Sequence, residues 1–204
     1  SSFIKISLLD ISVSFWRHNF IYYTRFSQLV AKFALDLFDQ TRGVLHHWGP
    51  LERETLWAAA MLHNCGHFVN HGAHHKHSYY LIRNGELLGF TNTEIGIVAN
   101  IARYHRKSAP KLKHDSYKAL TKASRRIVSQ LSAILRIAVG LDRRRLGAIA
   151  SFQTTYDRKA HILTLSFIPA NSDENCELEI WSVNDKKDCF EQEFDVTLTL
   201  QAAR

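Results

Sequence analysis

The chain has 204 residues, 46% of them hydrophobic and 22% charged, which excludes a wholly disordered polymer and fits one large domain or one domain with a small appendage. It holds no run of about 18 apolar residues, so no membrane-spanning helix is expected, and Cys65, Cys176 and Cys189 are too few and too scattered for a disulfide framework or a zinc knuckle. A reducing, cytoplasmic setting is expected; what stands out is a net charge of +7 and twelve histidines.

The opening stretch, 1–21, starts apolar but lacks a basic leader and a small-residue cleavage site, so it is not read as a signal peptide. Phe26, Leu29, Val30, Phe33, Ala34, Leu37 and Phe38 recur at helical spacing and predict a helix over 22–39. Gly43, Gly49 and Pro50 mark 41–50 as a connector. A second helix is predicted over 51–64, with acids in its first turn and Gly66 ending or perturbing it. A third covers 75–84, with Gly85 as its stop. Thr91 and Glu94 have capping-box spacing and start a fourth, running to about His105. Pro110 follows in a Lys-rich loop. A long helix within 117–145 carries the stripe Ile127, Leu131, Ile134, Leu135, Ala138 and Leu141.

Beyond it the hydrophobic period shortens to two. Strands are predicted over 149–156, 161–168 and 176–182, then a helix over 183–194 and a last strand over 196–200. The expected fold class is α+β: a mainly α-helical domain over 22–147, then a small β-β-β-α-β module over 148–204. Trp16, Trp48, Trp57 and Trp181 are expected to be packing or interface anchors rather than stacking platforms.

The charge is segregated. Residues 103–145 hold thirteen Lys and Arg against Asp115 and Asp142, a balance of +11, while residues 170–204 balance at −6. Either the basic middle faces an anion or the two halves meet. The basic residues do not alternate with large apolar ones along one amphipathic helix, which argues against a membrane surface. No helix-turn-helix or zinc-finger pattern points to sequence-specific DNA reading. Arg125, Arg126, Arg143, Arg144 and Arg145 are read as solvated helix surface. Six histidines fall between positions 63 and 77: His63, His67, His71, His74, His75 and His77, with His105 further on. Such a cluster raises a metal hypothesis, because neutral imidazole is a common transition-metal ligand. Cys65 is too close in sequence to His63 for the two to face each other on a helix, so it is not read as a nucleophile.

The segment LHNCGHFVNHGAHHKHSYYLIRNGELLGF, followed by ARYHRK, resembles the C-terminal region of the exopolyphosphatase/guanosine pentaphosphate phosphohydrolase family. The elements that carry it are Leu62, His63, Gly66, His71, His75, Lys76, His77, Ser78, Tyr80, Asn84, Gly89, Phe90 and the run Arg103 to Lys107, together with LSAILRIAVGLDRRR. The similarity extends from about residue 22 to the end; residues 1–21 match poorly.

The resemblance implies a helical domain similar to HD-type phosphohydrolases, which bind metal through a first His, a His-Asp pair and a later Asp. Here those positions fall on Phe26, His63-Asn64 and Val139, so no metal site is favoured; the alternative ligand set is His63, His71, His75 and His105. The family's hydrolysis resembles that of an N-terminal actin-like ATPase module, and Mg2+ is implied there; this chain has no G-x-G or D-x-G phosphate loop and is expected to hold no catalytic residue. The expected role is therefore an accessory domain binding polyphosphate through His75, Lys76, His77, Arg83, Arg103, His105, Arg106 and Lys107, with histidines adding charge as pH falls toward about 6.5. Tyr79, Tyr80 and Tyr104 are candidates to line the pocket, Tyr80 more simply by packing. The expected partners are that catalytic module and a second copy of the chain in a homodimer. Two alternatives are a metal-dependent HD-type hydrolase acting on a nucleotide such as guanosine pentaphosphate, and a basic RNA-binding module.

Overall fold

The computed structural model describes residues 21–203, with side chains from residue 26 onward. Trp16 and nearly all of the segment 1–21 lie outside the described residues. The first described helix, α1 (Ile21–Thr41), buries Val30, Phe33, Ala34, Leu37 and Phe38, the 3.6-residue stripe read from the sequence. It packs on α2 (Pro50–Leu62) and on α6 (Lys122–Leu141). Helix α2 begins with Pro50 at its first position, and Glu52 Oε2 accepts from Gly49 N at 2.9 Å. Its Ala58, Ala59 and Ala60 are fully buried, which lets neighbouring backbones approach closely.

A 3₁₀ turn (Cys65–Phe68) then leads to α3 (His74–Asn84), α4 (Asn92–Arg103), the single turn α5 (Asp115–Lys118) and α6. The Thr91–Glu94 capping box forms: Thr91 Oγ1 accepts from Glu94 N, and Glu94 Oε2 accepts from Thr91 N at 2.7 Å. Gly85 follows α3 in extended backbone, φ −88°, so it stops the helix without the left-handed conformation glycine favours. Helix α6 buries Leu131, Ile134, Leu135, Ala138 and Leu141, with Ile127 half-buried at its start.

The tail is a β-β-α-α-β unit. Strands β1 (Ile149–Asp157) and β2 (Ile162–Pro169) form an antiparallel hairpin, and β3 (Thr197–Ala202) pairs in parallel with β2. The crossover between them holds α7 (Glu177–Asn184) and α8 (Asp188–Phe194), both packed on α6. The predicted strand over 176–182 is therefore a helix. Its residues Cys176, Glu179, Ser182 and Val183 are buried, a helical spacing, while Leu178 and Trp181 are more than half exposed. The apolar-polar alternation that suggested a strand was produced by a buried acid: Glu179 pairs with Arg144, whose Nε and Nη2 reach it at 3.0 and 2.8 Å while Nη2 also reaches Glu174. The two halves of the charge pattern thus meet within the chain.

One buried core runs through both parts, from Phe33 on α1 to Phe152 on β1, whose ring centroids lie 5.9 Å apart. Gln40 of α1 also reaches the outer edge of β1, donating to Phe152 O at 3.2 Å and accepting from Thr154 N at 2.7 Å. Gly140 sets the approach of α7: a Cβ there would meet Val183 Cγ2 at 2.8 Å. No helix among the described residues is long and apolar enough to cross a membrane.

Candidate functional site

A cleft of about 450 Å3 opens where α1, the 3₁₀ turn, the end of α4, the C-terminal half of α6 and the end of α7 converge. Gly66 makes it possible. A Cβ at that residue would sit 2.1 Å from His74 O and 2.3 Å from Ser78 N, so only glycine lets the turn lie directly on the first turn of α3. Ser78 fastens the contact, its Oγ accepting from Gly66 N at 2.9 Å and donating to His63 O at 2.7 Å.

The turn and α3 gather five imidazoles into contiguous contact. His63 meets His105 edge-on at 4.9 Å, His105 stacks with His74 at 5.3 Å, His74 with His67 at 3.6 Å, and His67 leans on His71 at 4.9 Å. Their hydrogen bonds constrain the protons of two of them. His105 Nδ1 faces the Ala102 carbonyl at 2.6 Å, so it must donate, and its Nε2 is left an acceptor. His74 Nε2, 3.3 Å away, therefore carries the proton between them. His74 Nδ1 lies 3.1 Å from both Arg106 Nη1, which only donates, and His71 O, which only accepts, so a neutral His74 that keeps its proton on Nε2 meets the arginine and leaves the carbonyl unmet.

His63, His67, His74, His75 and His105 are uncharged at neutral pH. Burial is the first cause in each case: it lowers His63 to about 4, His67 to about 3, His74 to about 4 and His75 to about 4, and holds His105 well below its ordinary value, with nearby Arg106, Arg145 or neighbouring imidazoles adding to the effect. The expectation of added charge near pH 6.5 is corrected for His75 and His105.

The cleft's charge comes from guanidinium and ammonium groups. Arg106 bonds His74, Arg145 Nη2 meets His67 Nε2 at 3.3 Å, and buried Arg136 donates to Tyr104 O at 2.8 Å and Lys107 O at 2.5 Å. None of the three has a carboxylate partner among the described residues. Lys107, Arg143 and Lys186 stand at the rim with Asp185 and the exposed Trp181. The one buried acid of the cleft, Asp142, is pushed up to about 6 by burial, and its Oδ2 has no hydrogen-bond partner. Lys107 and Arg145 hold left-handed backbone, φ 60° and 59°, a strained conformation for residues with a Cβ. Partly buried positive charge in excess of the two acids, Asp142 and Asp185, that line the cleft suits a phosphate-rich anion.

Of the predicted binding residues, His105, Arg106 and Lys107 line this cleft. His75, Lys76 and Arg103 instead line a smaller cavity beyond Arg106, with Tyr104. His77 and Arg83 line neither; Arg83 is exposed on α3. Phe26, His63, Asn64 and Val139, the positions aligned with HD metal ligands, do share the cleft. Of the alternative ligand set, His75 stands apart from His63, His71 and His105, and no group of three or more His, Cys, Asp or Glu among the described residues is arranged to hold a metal ion. Burial pushes the Cys65 thiol up to about 12. Tyr80, expected to pack, is exposed, as is Trp181. Among the arginines read as solvated surface, Arg144 is an ion-pair partner and Arg145 a cleft residue. Arg136, Lys186 and Trp181 were missed as cleft residues. For Arg136 the available signal was a charge between Leu135 and Ile137, inside a buried helical stripe.

Residues 11–187 match the family model described as Ppx/GppA phosphatase, domain III. The chain is 34% identical over 90 residues to a guanosine-5'-triphosphate,3'-diphosphate pyrophosphatase of Pseudoalteromonas translucida, covering 44% of this chain and 17% of that protein. It is 30% identical over 119 residues to the protein of the same name from Pseudoalteromonas atlantica, covering 58% and 23%. The matched region thus spans less than a quarter of either relative.

Proposed function

Because the chain belongs to the Ppx/GppA phosphatase family, we propose that it is an HD-like accessory domain that binds a phosphate-rich polyanion, linear polyphosphate in the first instance, in the cleft between α1 and α6. Hydrolysis is the task of a separate actin-like module, to which the implied Mg2+ belongs. The observation that carries the reading is the trio Arg106, Arg136 and Arg145, cations in one cleft with no carboxylate partner among the described residues. Guanidinium groups held by imidazole nitrogens and carbonyls keep their full charge for a ligand, and repeated phosphates need such a track without base-specific contacts. Neutral imidazoles between them supply donors and acceptors. The relatives' printed name extends the ligand class to guanosine pentaphosphate, which shares the phosphate chemistry. Homodimerisation, through acids of α8 not spent on Arg144, belongs to the same proposal, and sedimentation at low salt tests it.

Calorimetric titration with polyphosphate of defined length tests the binding. Affinity should fall steeply between about 50 and about 200 mM salt, as for any ligand that displaces counterions, and no orthophosphate should be released. Absence of binding at the lower salt overturns the reading. Metal-dependent phosphate release would shift it to an HD-type hydrolase, and displacement of polyphosphate by RNA of equal charge would shift it to an RNA-binding module.

A further inference from the structure

A second cavity, of about 200 Å3, lies on the far side of the His74–His75 pair. His75 and Lys76 from α3, Arg103 from the end of α4, and Tyr104, Ser108 and His114 line it. Arg106 is the one side chain that lines both this cavity and the larger cleft.

Its electrostatics are one-sided. Lys76, Arg103 and Arg106 all reach it, no Asp or Glu lines it, and none of the three cations has a carboxylate partner among the described residues. Arg103 is aimed by aromatic faces instead, its guanidinium 5.3 Å from the Tyr79 ring and 5.8 Å from that of Tyr104. The Tyr104 hydroxyl is engaged with His114 Nδ1 at 2.9 Å, which fixes the opposite wall. His75 Nδ1 is buried and has no hydrogen-bond partner, which in a protein interior costs free energy unless a ligand or water meets it.

We propose that this cavity is a second site for a phosphate group, set back to back with the first cleft and sharing Arg106 with it. Three cations without acids, a wall with one unmet imidazole nitrogen and a volume well below that of the first cleft fit a compact oxyanion rather than a nucleoside. Two sources of such a group are distinguishable: free orthophosphate, or a distal phosphate of a chain whose other end fills the larger cleft. The site stands on this geometry alone, and only the chain source rests on the proposed polyphosphate binding. Arg106 couples the two sites, since an anion in the second draws on the guanidinium that meets His74 in the first.

Titration of the intact chain with orthophosphate, tripolyphosphate and long-chain polyphosphate, following histidine ring signals by NMR, tests this. The variants are Lys76→Glu, a reversal at an exposed position, the pair Lys76→Ala with Arg103→Ala, and, in the first cleft only, Arg145→Gly. If free phosphate is the ligand, it shifts the His75 and His114 signals, and either Lys76 variant weakens it about tenfold while Arg145→Gly does not. If the chain is the ligand, the Lys76 variants weaken long polyphosphate about tenfold and leave tripolyphosphate unchanged. The proposal is overturned if the Lys76 variants alter no ligand, or alter all three to the same extent as Arg145→Gly does. Loss of polyphosphate binding in every protein, wild type included, sinks the proposed function instead, and the orthophosphate arm still reads the second site.

Discussion

The Nε2 atoms of His74 and His105 lie 3.3 Å apart, and with His105 Nδ1 donating to Ala102 O only a proton on His74 can bridge them. A second proton on His74 has only Nδ1 to occupy. There it turns Nδ1 from an acceptor of Arg106 into a donor toward His71 O, 3.1 Å away, and sets two positive charges against each other. The imidazole chain therefore resists protonation in the empty cleft and accepts it beside an anion.

A stability-pH profile follows from this resistance. In the unfolded chain these histidines titrate near 6.5; in the fold His63, His74 and His75 are lowered to about 4 and His67 to about 3. Between those limits the unfolded state binds more protons, so stability is full above about 6.5 and falls as pH drops toward about 4. Asp142, raised from 3.8 to about 6, and Glu193, also raised by burial, work in the opposite sense, but they are two groups against several. Urea midpoints at pH 7.5, 6 and 5 should fall in that order. Polyphosphate should restore them increasingly at low pH, since it favours the protonated rings; a flat profile contradicts the burial-driven shifts.

Arg145 offers a separation of binding from stability. Its φ of 59° is the region where glycine costs least, so Arg145→Gly removes the guanidinium and relieves the backbone together. Polyphosphate affinity is expected to fall about tenfold. The denaturation midpoint should stay within about 0.5 kcal/mol of wild type. A large loss of stability would mean that Arg145 holds the turn rather than a ligand.

Gly66→Ala should be among the most damaging single-methyl changes in the chain. The new Cβ meets His74 O, Ser78 N and His77 C, all backbone atoms, at 2.1, 2.3 and 2.8 Å. Nothing flexible gives way, so the cost should reach or exceed the ~3 kcal/mol top of the usual overpacking range. Histidine NMR signals should disperse differently as the cleft opens. Gly43→Ala, where a Cβ meets nothing within 4 Å, carries only the strain of a positive φ and serves as the control.

Much of the fold was legible. The helical stripes of α1 and α6, the Thr91–Glu94 box and the β1–β2 hairpin all follow from period and cap chemistry between near neighbours. The error at α7 and the reading of Arg144 as solvated surface have one cause. The ion pair joins residues 35 positions apart, and either partner alone looks like an exposed charge. The cleft was half legible for the same reason. The histidines between 63 and 77 announce themselves, whereas Arg136, Arg145 and Lys186 join them only through the packing of α6 and α7 on the rest. The separation of His75 from His74 and the rest of the cluster depends on which side of α3 each faces, and the helix start at His74 is what decides it.

That ion pair yields a last prediction. Arg144→Ala leaves buried Glu179 with no cation and only the residue-144 backbone N–H as partner, and should lower the melting temperature clearly more than Arg143→Ala, at the exposed neighbouring position. Arg144→Lys should recover only part of the loss, because an ammonium cannot fork onto Glu174 and Glu179 together. Replacing both members, Arg144→Leu with Glu179→Leu, should outlast Arg144→Ala in a thermal melt. Equal melting temperatures for the Arg143 and Arg144 variants would refute the pairing.

Strand β1 is an edge of the sheet, and an edge strand is an open template for other chains. Gln40, by donating to Phe152 O and accepting from Thr154 N, fills the two backbone positions that an added strand would use first. A side chain on a helix thus stands in for one residue of a missing strand. Its consequence lies in crowded solution: the β1 edge is guarded against edge-to-edge self-association, and the first defect of a Gln40→Ala chain should be aggregation.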